Sequence, residues 1–122
     1  IDDTQFSWED SVDFNISESL IYVDNNNLIL DGKMIIKLEK YNEVYKFLQT
    51  PKKLRVKLKE LEFKFNYNFD QQLMNLQDIK IDNKINKKLD EFTKTLIFEK
   101  DKLKNKIYFK NLLNKAIKIY AG

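Results

Sequence analysis

The sequence predicts an α+β fold: an antiparallel, twisted β-sheet with short helices between its hairpins and a C-terminal amphipathic helix packed on or near the sheet. Three observations carry this. Apolar residues recur at every second position through much of residues 4–38 and 60–82, the period of a half-buried strand. The period changes to three and four at residues 41–49 and again beyond 83, the period of an amphipathic helix. With only 2 Gly and 1 Pro among 122 residues, the chain has neither the composition of a disordered segment nor that of a loop-rich one. That length supports one domain with a modest core. It is read as a single domain over 1–122, β-rich from 4 to 82 and mostly helical from 83 to 120. Because it begins with Ile rather than Met, it is read as a piece of a longer chain.

The elements follow in order. Phe6 and Trp8, then Val12, Phe14 and Ile16, alternate along an extended segment, with a bend at Asp10-Ser11. Residues 19–23 (SLIYV) are β-prone, and DNNN at 24–27 has turn composition. Leu28, Leu30, Met34, Ile36 and Leu38 keep one parity across Asp31-Gly32. Asp-Gly suits either a tight hairpin or a kink in one strand; since DNNN already closes a hairpin, one long strand is expected. Tyr41, Val44, Tyr45 and Leu48 form a helical stripe. Thr50-Pro51 reads as an N-cap with Pro at the first helical position, opening a second short helix over 51–58.

The strand LEFKFNYNF places Leu61, Phe63, Phe65, Tyr67 and Phe69 on one face. A turn at 70–72 leads to a strand over 73–82. Its parity slips from Met74 and Leu76 to Ile79 and Ile81, which predicts a bulge near Gln77. Ile81, Ile85, Leu89 and Phe92 then read as a helix. TLIF at 95–98 reads as a short strand or joint. Phe109, Leu112, Leu113, Ala116, Ile117 and Tyr120 give the final helix a broad apolar stripe.

The chain has no Cys and no His, which removes thiol and imidazole catalysis and the commonest zinc sites. Ser17 and Ser19 lack a base and flanking glycines. The acidic pairs Asp2-Asp3 and Glu9-Asp10 fall near turns. Asp24 to Asn27 with Asp31 is oxygen-rich but lacks the spacing of a calcium loop. No phosphate-cradling glycine motif and no cofactor motif is present. These readings point away from an enzyme. The net charge of +3 is unevenly spread: residues 1–50 carry −6, 51–83 carry +2 and 84–122 carry +7. Lys52, Lys53, Arg55, Lys57 and Lys59 form a basic segment suited to an anionic partner. Nucleic acid is the weaker choice of such a partner, because no RNA-binding signature accompanies the segment. There is no apolar run long enough to span a bilayer.

The strand ending in LILDGKMIIKL, then YNEVYKFLQTPKKLR, then LKELEFKFNYNFDQQLMNLQDIKID and the closing NLLNKAIKIYAG resemble, in content and order, the C-terminal part of the AsmA-like family of bacterial envelope proteins, related to the TamB group. The resemblance covers most of residues 12–122 and implies that the sequence is the C-terminal piece of a longer chain. It implies a periplasmic protein held in the inner membrane by an N-terminal anchor outside this sequence. It further implies a non-enzymatic role in outer-membrane biogenesis or intermembrane phospholipid transport through a hydrophobic β-sheet face, with phospholipid acyl chains or envelope proteins as partners. Leu28, Leu30, Met34, Ile36, Leu38, Leu61, Phe63, Phe65, Tyr67 and Phe69 are then the candidate groove lining. The helical region from 83 onward departs from an open groove and predicts a cap over that face. The competing reading is a protein-interaction or scaffold domain whose aromatic face is ordinary core.

Overall fold

The computed structural model describes the backbone of residues 4–8 and all of residues 12–122. The bend at Asp10-Ser11 and the acidic pairs Asp2-Asp3 and Glu9-Asp10 lie outside the described residues. The elements are β1 (Thr4–Trp8), β2 (Val12–Asp24), β3 (Asn27–Leu38), α1 (Tyr41–Leu48), a single 3-10 turn (Lys52–Leu54), β4 (Glu60–Asn68), β5 (Leu73–Ile81), β6 (Lys84–Ile85), α2 (Lys87–Lys94), β7 (Phe98–Glu99), α3 (Lys100–Leu103) and α4 (Lys106–Ala121). The sheet is an antiparallel meander in the order β1 to β6, with β7 added to β5. The α+β class is as the periodicity predicts.

The turn chemistry explains the meander. Asp24 pairs with Asn27, and the two residues between them, Asn25 and Asn26, both have positive φ, 49° and 63°. That backbone matches the twist of a two-residue hairpin, and Asn tolerates it well. Asp82 and Asn83 repeat the device between β5 and β6. Asp82 also accepts backbone hydrogen bonds from Lys59 and Glu60 through Oδ1, at 3.0 and 2.9 Å, fixing the start of β4.

One long β3 runs through Asp31-Gly32, as expected with the hairpin already closed at DNNN. Gly32 lies opposite Phe65, and a Cβ there would stand 2.6 Å from Phe65 Cζ. The missing side chain is the space that the aromatic ring occupies. The bulge expected near Gln77 falls at Asp78, where φ is 56° and the β4–β5 register shifts. A second bulge, not visible in the alternation, lies at Glu18, with φ 51°, and joins the two expected segments of β2 into one strand.

Two helical expectations fail. No helix spans 51–58: Pro51 has ψ 136°, only one 3-10 turn forms, and residues 55–59 are irregular. Thr50 does not cap it either; its hydroxyl points to α4 instead. The stripe Ile81–Ile85–Leu89–Phe92 is also not one helix. Ile81 ends β5, Ile85 lies exposed in β6, and α2 starts only after Asn86, whose side chain accepts from the Leu89 N–H at 3.0 Å. An N-cap of this kind satisfies a donor the helix cannot satisfy itself, so it sets the boundary.

The pairs Phe14–Ile36–Leu61–Ile81 and Ile16–Met34–Phe63 define one apolar face. The opposite face is mixed: Glu62 lies between Lys33 and Lys80 at 3.7 and 3.5 Å and Asp31 accepts from Tyr22 and Asn66, while Ile29 is buried on the same side. The apolar face carries α1, α2 and α4. A tight cluster of Ile79, Ile81 and Leu89 packs with Leu61, Phe63, Phe92, Ala116 and Tyr120, so α2 and α4 cover the β4–β5 side of the sheet.

The edge of β5 is protected at both ends by β6 and β7. Between them, α2 supplies Asp90, whose Oδ1 accepts from the Ile79 N–H at 3.3 Å and whose Oδ2 meets Lys94 Nζ at 3.0 Å. Burial pushes the Asp90 carboxyl up, but the Lys94 ammonium and the backbone N–H groups outweigh it and hold the group below its usual value. A depressed folded value means the stabilisation is present above the unfolded pKa of about 3.9 and is lost as pH falls through the folded value. Acid titration of the melting temperature is therefore expected to show a larger loss below about pH 4 in the native chain than in Asp90→Asn. Parallel curves for the two would refute the assignment.

Candidate functional site

The helices do not seal the sheet. Between the β2–β3–β4 part of the apolar face and helices α1 and α4 lies a cavity of about 450 Å³. The sheet supplies its floor through Val12, Phe14, Ile36, Leu38, Leu61 and Ile81. One wall is α1, through Tyr41, Val44, Tyr45 and Leu48; the roof is α4, through Leu113, Ala116, Ile117 and Tyr120. Leu58, from the irregular segment before β4, and Leu89 of α2 also line it. Phe47 of α1 and Phe109 of α4 line the cavity yet are 49% and 38% exposed, so they mark its mouth.

Local sequence explains each wall. The 41–48 stripe turns one side of α1 to the sheet, and Gln49, with φ 57°, ends that helix in a left-handed cap. In α4 the apolar side recurs at 109, 113, 116, 117 and 120, the spacing of a single helix face. The two helices are tied by Asn114, which accepts from the Thr50 hydroxyl at 2.6 Å and donates to the Leu48 carbonyl at 2.8 Å.

The lining contains no carboxylate, amine or amide side chain. Its polar atoms come from tyrosine. The Tyr45 hydroxyl donates to the Val56 carbonyl at 2.6 Å, and burial pushes it up to about 12. Burial and then the nearby Asp82 charge raise Tyr120 as well. Both phenols stay protonated at neutral pH, so the cavity offers shape and apolar contact to whatever enters it.

The structure divides the predicted groove residues. Ile36, Leu38 and Leu61 form part of the cavity floor. Phe63 belongs to the cluster under α2 and α4, and Phe65 is buried over Gly32. Leu30 and Met34 are half-buried on the same face. Tyr67 lines a shallower hollow of about 320 Å³ with Met74, Phe98, Lys100, Leu103 and Lys104. Leu28 and Phe69 are exposed at the far end of the sheet; the Phe69 ring stands edge-on to Tyr67 at 4.9 Å. The ten positions therefore do not line one continuous open groove.

Of the basic segment, Lys52, Lys53, Lys57 and Lys59 are exposed. Arg55 turns inward and donates through Nε to the Thr50 carbonyl at 2.8 Å. The sequence places the α4 stripe on or near the sheet and makes α1 amphipathic, but it does not place the two around a cavity. The signal within them is small: Ala116, the smallest side chain of the α4 apolar face, is also a lining residue.

No protein-family model, curated protein or solved structure matches this chain.

Proposed function

We propose that this chain is a non-enzymatic, lipid-handling region of an AsmA-like envelope protein, and that its cavity receives a phospholipid acyl chain. The observation that carries the reading is the apolar cavity itself. Buried voids cost about 24 cal/mol per Å³. This cavity of about 450 Å³ opens between Phe47 and Phe109, so it carries no such full cost, but its apolar lining stands against water when it is empty. Covering apolar surface of this kind is favourable by about 25 cal/mol per Å². An apolar ligand supplies that cover, and the volume lies within the range of roughly 300–1,000 Å³ common for small-molecule sites.

The resemblance of the sequence to the AsmA-like group supplies the setting: a periplasmic location, an inner-membrane anchor outside this sequence, and a part in outer-membrane biogenesis or phospholipid transport. No described helix is long and apolar enough to cross a membrane. A second reading, a protein-interaction domain, is favoured by the β2–β3 hairpin tip, where Ile21, Val23 and Leu28 share a face and stand exposed.

The test is uptake of a fluorescent fatty-acyl probe, displaced by unlabelled phospholipid. Val44→Trp and Ala116→Leu each place bulk in the cavity from a different helix. Each is expected to keep a cooperative melt and to bind the probe at least tenfold more weakly. Unchanged binding by both variants would remove the cavity as the site and leave the interaction-domain reading.

A further inference from the structure

The mouth of the cavity has a chemistry that its interior lacks. Ile107, the most exposed large apolar residue described at 74%, lies one turn from Lys110 on α4. Lys110 Nζ sits 4.8 Å from the centroid of the Phe47 ring, which joins this part of α4 to α1 at the mouth. Lys106 precedes Lys110 by four residues and Phe109 by three, so helical spacing puts all of them on adjoining stripes. The combination is an exposed aliphatic tip and two aromatic rings, flanked by ammonium groups. Neither Lys106 nor Lys110 is ion-paired among the described residues. Asp101 is the last acidic residue of the chain, and the 21 residues after it carry six Lys.

We propose that this mouth docks on an anionic bilayer surface, with Ile107, Phe47 and Phe109 entering the headgroup region and Lys106 and Lys110 meeting lipid phosphates. The proposal rests on the acyl-chain reading of the cavity and adds the route by which the chain enters. Charge complementarity selects the occupant. A neutral or cationic surface gains nothing from unpaired lysines, whereas an anionic leaflet attracts each basic residue held near it. Apolar and aromatic side chains framed by lysines are also what an interfacial helix presents to lipid. Docking there would place the opening against the layer that holds the acyl chains, so a chain would enter the cavity with little exposure to water.

The experiment is flotation of the 122-residue chain with two vesicle preparations, phosphatidylcholine alone and phosphatidylcholine mixed with phosphatidylglycerol. Adsorption is expected on the mixed vesicles, to weaken with added salt, and to fall roughly tenfold or more in Lys106→Glu/Lys110→Glu. Ile107→Glu alters an exposed position, so it is expected to lose adsorption while keeping the native melt and uptake of the soluble acyl probe. Equal adsorption on both preparations, or adsorption insensitive to both variants, overturns the docking surface. So does self-association or binding to an acidic protein in place of vesicle binding. A chain that adsorbs as expected but takes up no acyl probe keeps the docking surface and sinks the cavity reading; one that takes up the probe without adsorbing does the reverse.

Discussion

Phe65→Asp is expected to leave the chain without a cooperative fold. Phe65 is 8% exposed, and its ring fills the space that Gly32 leaves open across the strand pair. Removing a buried Phe side chain costs about 3–5 kcal/mol. A carboxylate in its place has no partner on this face and adds several kcal/mol more, or takes up a proton to avoid doing so. Together these reach the stability of a typical domain, about 5–15 kcal/mol. Loss of the sigmoidal thermal transition by circular dichroism checks it. A native-like melt would mean that the ring is not part of the packed face. The matched perturbation from the other strand is Gly32→Val, whose Cβ meets the same ring and which is expected to be strongly destabilising for overpacking rather than for a void. Unfolding by Phe65→Asp therefore tests the packing of the sheet and leaves the cavity to variants in α1 and α4.

The contrast between Phe65 and Leu61 shows what alternation can and cannot convey. Both are on the same strand face by parity, and parity alone made them equivalent candidates. Whether a position on that face becomes core or cavity floor depends on what stands above it, and that is set by residues far away in sequence. Phe63 packs on the Ile79–Ile81–Leu89 cluster, Phe65 meets a glycine on the neighbouring strand, and Leu61 touches that cluster and also borders the cavity. The sheet, the long β3, the DNNN hairpin and the bulge in β5 were legible because each rests on local rules: side-chain period, turn residues and a slip in parity.

The missed boundaries were also local, but the stronger signal was a single side chain. Asn86 caps α2 and overrules the apolar spacing that extends back to Ile81. Thr50 resembled a cap beside Pro51, yet its hydroxyl is committed to a residue 64 positions away. No local rule contains that partner. The same holds for the cavity, whose floor, wall and roof come from the two ends and the middle of the chain.

Asn114→Ala is accordingly expected to have the second largest effect, through the seam that holds the cavity together. Thr50 is 1% exposed, and Asn114 satisfies both its hydroxyl and the carbonyl of Leu48 at the end of α1. The last carbonyls of a helix lack partners within it, so the amide of Asn114 completes α1 as well as joining it to α4. Truncation leaves two groups without these bonds, at about 1–3 kcal/mol each when buried, for an expected loss of about 2–6 kcal/mol. Urea denaturation measures that loss. A double-mutant cycle with Thr50→Val separates the hydroxyl contact, because once its partner is gone Asn114→Ala should cost less by the coupling energy of the pair. A loss within about 0.5 kcal/mol for Asn114→Ala, the size of an ordinary surface change, would show that α4 is held over the sheet by apolar packing alone. If the expected loss is found, weaker acyl-probe binding in the still-folded variant should accompany it, since this side chain ties the wall of the cavity to its roof.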